Sequence, residues 1–188
     1  TIAWYKNMNG KGMYMYDDRV ILTTDPNLNG DIFISDLNGD GWNDLMFSVN
    51  KQMAWFKNTD GQGNFGDKLT VTTTNEIISF VRDLNGDGSM DLISKVAWYK
   101  NIDGHGNFGK SIIFPNDRDS FVVLLADLNG DEFIDLVCQN DIGIFWYEND
   151  SNGNFEIHPY IYTYNLIMNY ESCSIVAVDV NGDGWIDI

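Results

Sequence analysis

Four ten-residue stretches repeat one spacing of oxygen-bearing side chains: Asp36 to Leu45 (DLNGDGWNDL), Asp83 to Leu92 (DLNGDGSMDL), Asp127 to Leu136 (DLNGDEFIDL) and Asp179 to Ile188 (DVNGDGWIDI). Asp, Asn, Asp and Asp fall at positions 1, 3, 5 and 9 of each. Odd spacing in a tight loop turns successive side chains toward one centre, and the peptide carbonyl of position 7 adds a fifth oxygen. Several oxygens at about 2.3–2.6 Å are what a hard cation such as Ca²⁺ requires. The first candidate site is therefore Asp36, Asn38, Asp40 and Asp44 with the Trp42 carbonyl, and the second Asp83, Asn85, Asp87 and Asp91 with the Ser89 carbonyl. The third is Asp127, Asn129, Asp131 and Asp135 with the Phe133 carbonyl, and the fourth Asp179, Asn181, Asp183 and Asp187 with the Trp185 carbonyl.

Glycines at positions 4 and 6 let such a loop turn sharply without a Cβ clash. The third loop carries Glu132 at position 6, where an L side chain is reluctant, so its site is expected to be weaker or strained. Position 12 holds Phe47, Ser94 or Cys138 rather than a bidentate Glu, and the flanks read as strands, so the loop is not an EF-hand. Remaining coordination falls to a bidentate Asp at position 9 or to water. Ordinary Asx-Gly turns need two or three such residues, not a nine-residue pattern four times over. Mg²⁺ suits the loop less, since it prefers fewer protein ligands and rigid octahedral geometry.

The charge balance agrees. The 188 residues hold 11 Lys and Arg against 28 Asp and Glu, a formal charge of −17; four Ca²⁺ would bring it to −9. Without a cation each loop crowds three carboxylates, which raises its energy. So acidic a chain lacks the basic surface that nucleic acid or anionic lipid needs, and we expect no nucleic-acid partner and no membrane insertion. A hydrophobic content of 44% with 14% aromatics predicts a folded chain.

The loops are one part of a larger repeat. Their starts lie 47, 44 and 52 residues apart, and a second series accompanies them: Trp4-Tyr5-Lys6-Asn7, Trp55-Phe56-Lys57-Asn58, Trp98-Tyr99-Lys100-Asn101 and Trp146-Tyr147-Glu148-Asn149. A third follows, Asp60-Gly61-Gln62-Gly63-Asn64-Phe65 matching Asp103-Gly104-His105-Gly106-Asn107-Phe108, with looser copies at Asn9 to Tyr14 and Ser151 to Phe155. In the second unit, β-branched and aromatic residues predict strands at 77–82, 92–94, 96–100 and 108–114, joined by the Asp loop and a Gly-rich hairpin. Four strands in about 45 residues is the length of a β-propeller blade. The expected fold is all-β: a propeller of about four four-stranded blades forming a segment of a larger one, with a half-blade at 1–24, repeats at about 25–71, 72–115 and 116–163, and a half-blade at 164–188. The chain opens directly on strand-like Thr1 to Tyr5, which reads as a mature or trimmed segment.

Together, the DLNGDGxxDL loop, the IAWYKN strand and the DGxGNFG turn resemble FG-GAP/VCBS repeats, similar to the calcium-binding blades of integrin α-subunit propellers and of secreted microbial surface proteins. The resemblance implies Ca²⁺ in the hairpin between the first two strands of each blade. It also implies an extracellular or cell-surface setting, with a protein or glycan ligand in adhesion or in a surface assembly.

Other residues weigh against catalysis. Trp4, Trp55, Trp98 and Trp146 recur at one position, as packing between repeats would require, whereas Trp42 and Trp185 lie inside the Asp loops and suit a contact surface. His105 and His158 match no metal spacing. No nucleophile elbow, phosphate-cradling loop or zinc spacing occurs. A polysaccharide lyase is the enzymatic alternative, but Lys6, Lys57 and Lys100 are spread one per repeat rather than gathered in one cleft. A lectin using Tyr160, Tyr162, Tyr164 and Tyr170 is a second. Cys138 and Cys173 are open to pairing or to a free state, and Asn149-Asp150-Ser151 is a glycosylation sequon.

Overall fold

A computed structural model describes residues 1–72, 76–115, 120–163 and 175–188. Cys173, Tyr164 and Tyr170, singled out above, lie outside the described residues. Short β-branched and aromatic runs punctuated by Asx-Gly turns give the expected all-β chain. Among the described residues the helical content is one 3-10 turn, Tyr16–Asp18, and no helix is long and apolar enough to cross a membrane.

Among the described residues four antiparallel sheets follow one another along the sequence. The first pairs β1 (Ile2–Trp4) with β2 (Val20–Thr23). The second runs β3 (Leu28–Ser35), β4 (Asp44–Val49), β5 (Gln52–Asn58) and β6 (Phe65–Thr72) in simple meander order. The third repeats that order with β7 (Ile78–Arg82), β8 (Asp91–Ser94), β9 (Ala97–Tyr99) and β10 (Ile112–Ile113). The fourth adds β11 (Phe121–Ala126), β12 (Asp135–Gln139), β13 (Gly143–Asn149) and β14 (Phe155–Ile157), with β15 (Tyr162–Thr163) also on β13. The first three Asp loops each join the first two strands of a four-strand meander, their ends pinned by the pairs Ser35↔Asp44, Arg82↔Asp91 and Ala126↔Asp135, and the fourth is closed by the isolated bridge Val178↔Asp187.

The outer strand of the third sheet is shorter than the 108–114 read from sequence. The edge is held piecewise: an isolated bridge Asn101↔Phe108, Gly109 N–H to Lys100 O at 2.8 Å, the β10 pairing, and Phe114 N–H to Val96 O at 2.9 Å.

The chain divides into two compact units, Thr1–Asp36 with Gly41–Ile77, and Leu37–Asp40 with Ile78–Ile188. In the first, β4 is buried along its whole length and packs Leu45, Phe47 and Val49 with Ile2, Ala54 and Phe56. In the second, Leu84, Ile93, Trp98 and Phe114 of the third sheet and its connections meet Val122, Leu136, Cys138, Phe145 and Tyr147 of the fourth sheet. Central strands covered on both faces read as continuous apolar runs rather than as alternation, which is why β4, β8 and β12 do.

Candidate metal centres

The Asp loops share one backbone. Position 4 is left-handed throughout, with φ of 72°, 71°, 78° and 79° at Gly39, Gly86, Gly130 and Gly182. Position 6 is too, at 86° for Gly41 and Gly88 and 90° for Gly184, and Glu132 is forced into the same region at 72°. The strain expected of Glu132 is therefore present in the backbone itself.

Position 1 gathers the loop's N–H groups. Asp36 Oδ2 accepts from Gly41 at 2.7 Å; Asp83 accepts from Asp87 and Gly88. Asp127 accepts from Gly130, Asp131 and Glu132, and Asp179 from Gly182, Asp183 and Gly184. These donors, Gly184 foremost, hold the Asp179 carboxyl below the usual carboxylate range. Asn38, Asn129 and Asn181 accept from the N–H of Asp40, Asp131 and Asp183. Position 5 receives the N–H of position 7: Asp87 from Ser89, Asp131 from Phe133, Asp183 from Trp185, each 2.9 Å.

Position 9 has a second role that its ligand assignment did not anticipate. Asp44, Asp91 and Asp135 are fully buried and reach the far end of the third strand. Asp44 Oδ1 accepts from Asn58 N–H at 2.8 Å, Asp91 Oδ1 from Asn101 at 2.7 Å and Asp135 Oδ1 from Asn149 at 2.9 Å. The other oxygen closes the loop's own base, accepting from Leu84, Leu128 or, for Asp187, Val180. Burial pushes Asp91 and Asp135 up to about 6 against these donors, and Asp87 beside the former and Asp131 and Asp127 beside the latter push the same way.

The residues fit a cation on two observations. Asn85 Oδ1 is buried with no hydrogen-bond partner, and a buried amide oxygen left unpaired is costly. The buried position 9 carboxylates of the second and third loops also stand beside further carboxylates, Asp87 for Asp91 and Asp131 and Asp127 for Asp135; at the second loop Lys100 Nζ reaches Asp87 Oδ2 at 3.3 Å. Among the described residues no three His, Cys, Asp or Glu side chains form a metal cluster by themselves. A site here mixes carboxylates with the Asn amide and a peptide oxygen, and the position 9 oxygens bring only the lone pairs their N–H donors leave.

Asn58, Asn101 and Asn149 are the residues that sequence reasoning passed over. Each ends the Trp-Tyr-Lys-Asn series, and its side chain ties neighbouring segments. Asn101 Nδ2 donates to Leu37 O at 2.9 Å and Met90 O at 3.2 Å, and Asn149 Nδ2 to Leu84 O at 2.7 Å and Ile134 O at 2.9 Å. Their recurrence was the available signal. The sequon falls on Asn149, which is 1% exposed with its amide nitrogen engaged twice, so the folded chain does not present it for glycosylation.

The Gly-rich hairpins are closed by their own aspartates. Asp60, Asp103 and Asp150 each accept two backbone N–H groups and the amide of Asn64, Asn107 or Asn154. All three carboxyls sit below the usual range, chiefly through that amide. His105 Nδ1 lies 3.1 Å from Asn38 O, a bond in which the ring must donate.

The recurrent tryptophans pack. Trp98 is 3% exposed and lies against Gly153 of the next repeat, where a Cβ would come within 3.3 Å of the ring; Trp4 covers Gly63 likewise. Trp146 stacks on His158 at 3.9 Å, and His158 Nε2 is 2.8 Å from Glu148 Oε2. Trp42 rests on Gly61 yet is 40% exposed, and Trp185 is 64% exposed. Cys138 is buried in the core, and burial pushes its thiol up to about 12.

Repeated four-strand meanders, with an Asp-rich loop between the first two strands, define an all-β repeat protein. FG-GAP-like repeats match residues 36–94, 83–138 and 127–188, and the chain belongs to that family. It is similar in fold to a lectin of Agrocybe aegerita described as specifically recognising non-reducing terminal N-acetylglucosamine, at 22% identity and a TM-score of 0.56 over 67% of this chain and 37% of the lectin. It is also similar to the Tc holotoxin pore of Photorhabdus luminescens, at 23% identity and a TM-score of 0.52 over 87% of this chain and 8% of the other. The chain thus spans well under half the length of either. No curated protein matches it.

Proposed function

We propose that the chain is a calcium-loaded segment of an extracellular β-propeller, non-catalytic, presenting a protein or glycan ligand surface in adhesion or in a larger surface assembly. The observation that carries this reading is the loop conformation repeated four times. In it, paired left-handed residues present Asp, Asn and Asp side chains, and in the second loop a buried Asn85 oxygen lacks any partner. Asp83, Asn85, Asp87, Asp91 and the Ser89 carbonyl would hold Ca²⁺ there, and their counterparts at the other three loops. The ion would supply positive charge that offsets the crowded carboxylates. Thermal unfolding in excess EDTA, in millimolar Ca²⁺ and in Mg²⁺ tests it. Binding confined to the folded chain stabilises by about 2.7 kcal/mol per site at 100-fold excess over Kd. A rise with Ca²⁺ well above that with Mg²⁺ is expected; equal melting in EDTA and Ca²⁺ would remove the metal and the extracellular argument resting on it.

A lectin is the second reading. Trp185 stands exposed beside a 440 Å³ cleft lined by Asp127, Leu128 and Gly130, and an open indole face suits a sugar ring. Retention of a glycan in an array, lost in Trp185→Ala, would favour it. A steady viscosity of uronate polymers on incubation would count against a lyase.

A further inference from the structure

Leu84, at position 2 of the second loop, holds both of its peptide groups in bonds to different repeats. Its N–H donates to Asp91 Oδ2 of its own loop at 3.2 Å, and its C=O accepts from Asn149 Nδ2 at 2.7 Å. Asn149 in turn gives its own N–H to Asp135 Oδ1, at position 9 of the third loop, and its amide also reaches Ile134 O at position 8. Asp91, Leu84, Asn149 and Asp135 are all at most 1% exposed, so no water intervenes in the relay. A second contact crosses the same gap. Phe133, whose carbonyl is a candidate ligand of the third loop, lays its ring on Gly86 of the second, where a Cβ would come within 3.2 Å.

We propose that Asn149 is a positioning residue coupling cation binding at the second and third loops, so that filling either strengthens binding at the other. This rests on the calcium reading above. The physical reason is that both loops anchor one amide plane: ordering either loop fixes Asn149 and the Leu84 peptide, and the other loop then has less freedom to lose. Coupling of this kind is reciprocal and is typically about 5- to 150-fold in affinity. Mutual repulsion of two bound cations acts with the opposite sign, so the sign of the coupling is itself informative.

The test is a CaCl₂ titration of the whole chain followed by ¹⁵N NMR, with the amides of Gly86 and Gly88 reporting the second loop and that of Gly130 the third. The forms compared are the natural chain, the double substitution Asp127→Asn and Asp131→Asn that disables the third loop, Asn149→Ala, and the combination. We expect disabling the third loop to weaken the second about fivefold or more, although no ligand of the second is changed. In the Asn149→Ala background that dependence should disappear. A merely structural stitch would lower melting temperature equally with and without Ca²⁺ and leave the dependence intact. Should Asn149→Ala fail to fold, Phe133→Ala, which keeps the ligating carbonyl, replaces it and should reduce the same dependence. An unchanged or tightened second loop after the third is disabled overturns the coupling alone. Amides that ignore CaCl₂ in the natural chain overturn the calcium reading and the coupling with it.

Discussion

Replacing Glu132 by Gly is expected to stabilise the second unit by about 1 kcal/mol. At φ 72° Glu132 occupies the position that Gly41, Gly88 and Gly184 hold at 86°, 86° and 90°. An L residue in that region costs roughly 1–2 kcal/mol, and a glycine gives back about 0.5–1 kcal/mol through the freedom it restores to the unfolded chain. The loop's bond survives the change, because Glu132 N–H already donates to Asp127 Oδ2 at 2.9 Å as Gly88 does to Asp83 at 2.8 Å. Urea unfolding in EDTA keeps metal out of the comparison, and the midpoint should rise with the slope unchanged. In a melt, about 1 kcal/mol corresponds to roughly 2–4 °C for a chain this long. Glu132→Gln separates charge from backbone, since it keeps the strain and should leave the midpoint within about 0.5 kcal/mol of the natural chain. Gly88→Ala is the converse: nothing lies within 4 Å of the added Cβ, so a loss of about 1 kcal/mol there is conformational. A Glu132→Gly chain no more stable than Glu132→Gln would refute the argument from strain.

The Asp103 carboxyl, held down chiefly by the Asn107 amide and then by His105 N–H, should titrate below 3.8 in a carboxyl ¹³C NMR series. Because its folded value is depressed, its contribution is complete above the ordinary carboxylate range and is lost as pH falls through the folded value. Asn107→Ala should move it back up, and an Asp103 that titrates at or above 3.8 in the natural chain would remove the hairpin closure from the account. Amide exchange should separate loop tip from loop base: Gly88 and Ser89 should gain most protection on adding Ca²⁺, while Leu84 and Asn101, partly held through Asp91 already in EDTA, should gain less. Equal gains at all four would mean that the base is not preformed.

How much of this was legible depended on how far each interaction reaches along the chain. The loop conformation was readable because its causes are local: glycine or a strained Glu at position 6, and an Asp at position 1 collecting N–H groups three to five residues away. The four-strand meander followed from alternating strand and turn chemistry. The outer strand of the third sheet came out shorter than its composition favoured, with Phe108, Gly109 and Ile112–Ile113 bonded separately to the strand beside it. The Asn stitches were less visible. Asn101 reaches Leu37 across 64 residues and Asn149 reaches Leu84 across 65, and a repeat comparison reveals that such an Asn recurs without saying what it touches. Position 9 was half legible: its carboxylate was assigned to the loop centre, whereas the buried N–H of the third strand, which it serves, belongs to a different motif.

That double use of position 9 explains why three separate motifs travel together. An Asp buried without donors would stay protonated or destabilise the sheet; the Asn at the end of the third strand supplies one donor, and the loop's own position 2 the other. The same Asn then has its amide free to bond the preceding repeat. The Trp three residues before Asn58, Asn101 or Asn149 is also part of this arrangement, as Trp98 covers the Gly-rich turn of the following repeat. Loop, strand and hairpin therefore each leave a buried group unsatisfied or a surface uncovered unless the other two are present. A repeat lacking one of them would weaken its neighbour as well as itself, which is sufficient reason for the order Asp loop, Trp strand, Gly hairpin to be kept through the chain even where individual positions such as Glu132 and Glu148 depart from it.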